Sequence, residues 1–118
     1  MLVVDDNAGI RQLVEMIFTD KGYEVETATN GSEAIAKVME RCPDVILLDY
    51  RMPGLDGFQT WEAIQKIHPN IPAIMMTGYG ENEIQQTVKQ SIKHFVTKPF
   101  SIEDIYQLVN RILTERIA

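Results

Sequence analysis

The run Asp44-Val45-Ile46-Leu47-Leu48-Asp49-Tyr50-Arg51-Met52-Pro53-Gly54-Leu55-Asp56-Gly57 decides the fold. Val45 to Leu48 is apolar at every position, short enough for a strand and apolar on both faces. That is the pattern of a central strand in a parallel sheet covered by helices. The run ends on Asp49 and breaks at Met52-Pro53-Gly54, where proline presets φ and glycine takes a conformation that other residues resist. Asp49 therefore stands at the carboxyl end of a central strand, the edge at which open α/β sheets bind ligands. A lone aspartate there more often caps a loop than does chemistry, so its neighbours decide the matter.

Outward from this run, apolar segments alternate in period along the whole chain. Leu2-Val3-Val4 is a short apolar strand leading into Asp5-Asp6-Asn7. It begins almost at residue 1, so a residue or two of the natural N-terminus is expected to be missing. Ile10, Leu13, Val14, Ile17 and Phe18 recur at helical spacing between Ala8 and Lys21, and Gly22 stops that helix. Tyr23 to Ala28 alternates like an edge strand with one wet face. Asn30-Gly31 turns the chain, and Ser32 is the expected cap of a second helix carrying Ile35, Val38 and Met39. Phe58, Trp61, Ile64 and Ile67 mark a third helix, which ends before Pro69. Trp61 is a packing residue in this pattern. Ile71 to Met76 is another buried strand, ending at Thr77 and the pliable Gly78-Tyr79-Gly80 loop. A helix is predicted over 81–90, with only Ile84 and Val88 as large anchors. His94 to Thr97 is a second edge strand, and Ser101 opens a last helix with Ile102, Ile105, Leu108, Val109, Ile112 and Leu113.

Strict alternation of strand and helix implies right-handed crossovers and one parallel sheet. Three strands are buried and the second and fifth are edges, as the order 2-1-3-4-5 requires. The fold class is thus α/β, a flavodoxin-like doubly wound (βα)5 three-layer sandwich, forming one domain over residues 1–118. The first and third strands then end side by side at the topological switch point, which brings Asp5, Asp6 and Asp49 together.

A net charge of -6 and no cluster of Lys and Arg argue against a nucleic-acid-binding surface. The apolar runs are too short to cross a bilayer and the N-terminus lacks a signal-peptide pattern, so a cytoplasmic protein without membrane contact is expected. Cys42 is the only cysteine, which excludes an intramolecular disulfide and a thiolate metal cluster.

Three converging carboxylates repel one another at roughly 4 kcal/mol per close pair for an effective dielectric near 20. They persist only with a cation or a raised pKa. Oxygen donors without His or Cys suit Mg²⁺ better than zinc. Thr77 ends a buried strand and Lys98 follows an edge strand, so a hydroxyl and an ammonium are expected at the same sheet edge. Together these five residues suit a phosphorylated aspartate whose charge is shared by metal and lysine.

Asp5-Asp6, Asp49 with Met52-Pro53-Gly54 and Asp56-Gly57, Thr77, and Lys98-Pro99-Phe100 resemble the signature of the receiver domain of two-component response regulators, over essentially the whole chain. Gly9-Ile10-Arg11 and Thr77-Gly78-Tyr79-Gly80-Glu81 are most similar to the single-domain receivers of sporulation phosphorelays. The resemblance implies Asp49 as phosphoacceptor, Asp6 as a direct Mg²⁺ ligand, Asp5 as a ligand through water and the Arg51 backbone carbonyl as a further ligand. It implies that Thr77 and Lys98 bind the phosphoryl oxygens, that Thr77 and Phe95 form the switch, and that Lys98-Pro99 is cis. Ile10 and Leu13 would lie on the docking helix, Ile10 as the more exposed and Leu13 as core. Arg51 and Tyr79 occupy positions that flank the phosphoryl group in similar receivers.

The implied partner is a sensor histidine kinase or a histidine phosphotransfer protein, with His68 and His94 unfitted to be the donor. The implied role is a phosphoacceptor switch that assists its own phosphorylation and dephosphorylation, and not an enzyme with a separate substrate. Two departures stand out: Ser91-Ile92 where the family has Gly-Ala, and Phe95 in place of a frequent tyrosine. A haloacid-dehalogenase-type phosphatase would want an Asp at the position of Arg51. A flavodoxin-like cofactor binder would want a phosphate loop where Asp5-Asp6 would repel one. The remaining alternative is a receiver module excised from a larger response regulator or hybrid kinase.

Overall fold

The computed structural model describes residues 1–78 and 92–117. The helix predicted over 81–90, Tyr79 and Ser91 lie outside the described residues. Five strands, β1 (Leu2–Val4), β2 (Glu26–Ala28), β3 (Ile46–Asp49), β4 (Ala73–Thr77) and β5 (His94–Thr97), form one sheet in the order β2-β1-β3-β4-β5. Every pairing is parallel. The helices described are α1 (Ala8–Asp20), α2 (Gly31–Glu40), α3 (Gly57–Ile67) and a C-terminal α4 (Ile102–Ile117).

The strand side chains alternate between two cores, which makes the three layers. Leu2, Val4, Ile46, Leu48, Ala73 and Met75 pack with Ala34 and Val38 of α2 and with Trp61 and Ile64 of α3. Val3, Leu47, Ile74 and Met76 pack with Val14 and Phe18 of α1 and with Ile105, Val109 and Ile112 of α4. β1, β3 and β4 are buried throughout, whereas β5 is half-exposed, which is the burial expected of central and edge strands.

Three local expectations are corrected. β2 starts at Glu26 instead of Tyr23, because it can pair only with the three residues Leu2–Val4 of β1. Tyr23 and Val25 still pack on the second core, so the alternation reported burial and not ladder pairing. β4 spans Ala73–Thr77, not Ile71–Met76. The N-cap of α2 is Asn30, whose side chain accepts from the Glu33 N–H at 2.8 Å, and not Ser32. A side chain at Gly31 would meet the Thr60 hydroxyl at 2.1 Å, so glycine there lets α2 and α3 approach closely.

The same economy of space operates below the site. Asp56 caps α3 through a capping box with Gln59, and the Gly57 N–H donates to the Tyr50 carbonyl at 2.8 Å. A Cβ at Gly57 would lie 2.5 Å from the Asp49 carbonyl oxygen. Only glycine lets this helix start directly against the strand end that carries Asp49.

Candidate acidic site at the sheet switch point

The ends of β1 and β3 lie side by side, as the strand order dictates. Asp5 is fully buried, Asp49 is 6% exposed and Asp6 is exposed. One carboxylate oxygen from each lies within 4.8 Å of the others. Lys98 reaches into the group from beyond β5, with Nζ 3.1 Å from Asp5 Oδ2 and 3.3 Å from Asp49 Oδ1. Its backbone holds it there: the Lys98 N–H donates to the Thr77 carbonyl at 2.6 Å, and Lys98-Pro99 is a cis peptide.

Asp5 is the most firmly held of the three. Its N–H donates to the Ala28 carbonyl at 3.2 Å, and its Oδ1 accepts from the Asn7 N–H at 2.9 Å. Capping, the simpler role for Asp5-Asp6-Asn7, falls to Asn7 alone, whose Oδ1 accepts from the Ile10 N–H at 3.1 Å. The two aspartates are left for the site.

Burial, and then the neighbouring Asp5 carboxylate, push Asp49 from an ordinary 3.8 up to about 6, against the pull of Lys98. Burial alone would lower the Lys98 ammonium, but Asp49 and Asp5 together raise it above its ordinary value. The folded state thus binds more protons than the unfolded chain between pH 3.8 and about 6, and stability falls as pH rises through that window. Without divalent cations, Asp49→Asn is expected to be more stable than wild type by about 1–2 kcal/mol at pH 7, after allowance for solvent screening. The difference should vanish below about pH 4. Urea unfolding of both proteins across this range checks it, and parallel curves would place the strain elsewhere.

The other predicted residues divide. Thr77 is buried at the end of β4, its hydroxyl 3.5 Å from the Val96 carbonyl. Phe95 is half-buried against the first core, opposite Met75 in the β4–β5 register. Arg51 is exposed beside the site. Of the departures from the family pattern, Ile92 is 2% exposed and belongs to the core. The relative burial expected of Ile10 and Leu13 is reversed: Ile10 is half-buried against the second core, whereas Leu13 is 43% exposed, because the buried stripe of α1 runs through Val14 and Phe18. Sequence reasoning missed Arg11, whose guanidinium donates to the Asp5 carbonyl oxygen at 2.7 Å. A long cation one helical turn after an acidic pair was the available signal.

The fold and site define a class: a doubly wound α/β protein with an all-oxygen acidic pocket and a half-buried lysine at its switch point. The donor set, carboxylate oxygens without His or Cys, suits a hard divalent cation better than zinc. The sequence matches the response regulator receiver domain family over residues 1–110, and the chain belongs to that family. It is 39% identical to sporulation initiation phosphotransferase F of Bacillus subtilis over 115 residues, which is 96% of this chain and 92% of that protein. It is 35% identical to the chemotaxis protein CheY of Thermotoga maritima, covering 95% of each chain. The solved receiver domain of NtrX from Brucella abortus superposes with a TM-score of 0.88 at 34% identity, over 96% of this chain and 97% of that one. The chain is therefore a phosphoacceptor receiver of two-component signalling. No helix among the described residues is long and apolar enough to cross a membrane.

Proposed function

We propose that residues 1–118 act as one receiver domain in which Asp49 takes a phosphoryl group from a histidine of a sensor kinase or phosphotransfer protein. The observation that carries this is a nearly buried Asp49 at the end of β3, with Asp5 and the Lys98 ammonium beside it. An Asp49 oxygen attacks phosphorus, the phosphorus–nitrogen bond breaks, and the imidazole leaves with the electron pair and takes its proton from solvent. Asp5, Asp6, Asp49 and the Arg51 carbonyl would hold Mg²⁺, which would supply positive charge against the negative charge of the phosphoryl oxygens. Lys98 supplies the second positive charge, and Thr77 a hydroxyl donor. Thr77 at the end of β4 and Phe95 on β5 form the switch that alters a partner-binding face.

Wild type incubated with acetyl phosphate and Mg²⁺ is expected to gain the mass of one phosphoryl group, and Asp49→Asn none. Equal uptake by the two would overturn the assignment. For partner docking, the exposure of Leu13 adds it to Ile10 on α1. Leu13→Ala is expected to slow phosphotransfer from a cognate histidine donor by about tenfold while uptake from acetyl phosphate stays unchanged, the mark of a lost contact and not lost chemistry. Unchanged rates with both donors would move the docking face off Leu13.

A further inference from the structure

We infer that Arg11 is a positioning residue for Asp6, an inference that rests on reading Asp6 as a metal ligand. Among the described residues, the Asp6 carboxylate takes part in no hydrogen bond or ion pair, and Asp6 is exposed. Its place is therefore set by the backbone alone. Side chains anchor the peptides on both sides of Asp6: Asp5 Oδ1 accepts from the Asn7 N–H at 2.9 Å on one side, and on the other Arg11 Nη1 donates to the Asp5 carbonyl oxygen at 2.7 Å, reaching back six residues from the first turns of α1. The Asp5 carbonyl and the Asp6 N and Cα lie in one rigid peptide plane. With the Asn7 N–H held on the other side, a charge-assisted bond to this carbonyl restrains the Asp6 Cα and leaves its carboxylate mainly side-chain rotation. Asp5 needs no such help in orienting its side chain, since both its oxygens are already engaged, by the Asn7 N–H and by Lys98.

Two effects of Arg11 oppose each other, which makes the sign of the result decisive. As a bare positive charge near the pocket, Arg11 repels a divalent cation, so its removal should tighten binding. As a positioning residue, its removal should weaken binding by about tenfold, the scale typical of partners that orient metal ligands. The experiment is a Mg²⁺ titration followed by backbone amide shifts, with the magnesium-induced rise in Tm as a second readout. Wild type, Arg11→Ala, Arg11→Lys and Asp6→Ala are compared. Arg11→Ala is expected to bind about tenfold more weakly, and Arg11→Lys, which keeps the charge and a donor, to recover most of the affinity. At saturating Mg²⁺ the phosphorylation rate of Arg11→Ala should return to near that of wild type. Unchanged or tighter binding by Arg11→Ala, beside weakened binding by Asp6→Ala, would overturn the role of Arg11 alone. Unchanged binding by Asp6→Ala would overturn the ligand reading on which it stands.

Discussion

Chelating the divalent cation, or replacing Asp6 by Ala, is expected to slow phosphoryl uptake from acetyl phosphate by a hundredfold or more. The physical ground is charge. Asp49 must approach an anionic phosphoryl group with the Asp5 carboxylate already beside it, and Lys98 is shared between the two. One uncompensated like-charge pair at about 4 Å is worth about 4 kcal/mol at an effective dielectric near 20, or roughly a thousandfold in rate. Lys98 remains in both experiments and offsets part of this. Intact-mass time courses with and without EDTA measure the effect. A wild-type rate that ignores EDTA would mean that the carboxylates do not work through a metal.

Lys98→Met is expected to destabilise the protein by about 2–3 kcal/mol at pH 7 in the absence of divalent cations, since a buried ion pair loses one partner and leaves the others uncompensated. The side chains concerned are almost fully buried on the acid side, 0% and 8% exposed, with Lys98 itself at 26%. The loss should shrink on acidification, because without the ammonium Asp49 holds its proton to still higher pH than about 6. It should shrink also on adding Mg²⁺, which restores a cation to the pocket. Urea midpoints at pH 7 and pH 5, with EDTA or with Mg²⁺, separate these cases. A penalty independent of both pH and metal would point to lost packing of the lysine stem instead of lost charge.

The strand order was legible because burial differs by strand position: Val45–Leu48 could only be central, and His94–Thr97 only an edge. Asp5, Asp49 and Lys98 followed from that order, since topology alone brings their strand ends together. What escaped were features set by a partner segment. The length of β2 is limited by three residues of β1, which alternation within Tyr23–Ala28 cannot reveal. Asn30 and Ser32 are both good caps by residue type, and only the structure shows that Asn30 accepts from the Glu33 N–H. Leu13 and Ile10 both fit a helical stripe, whose width is set by what α1 packs against. Arg11 carried a signal in its charge one helical turn after an acidic pair, but nothing in the sequence tells which carbonyl such a side chain reaches.

The most direct test of the account is the chemical location of the phosphoryl group. Wild type is phosphorylated with acetyl phosphate in Mg²⁺, the acyl phosphate is trapped by reduction with borohydride, and tryptic peptides are sequenced by mass spectrometry. The account predicts the reduced residue at Asp49, within the peptide Cys42–Arg51, and its absence from that peptide when Asp6→Ala is treated alike. Reduction at Asp5, Asp6 or Asp44, with Asp49 intact, would contradict it.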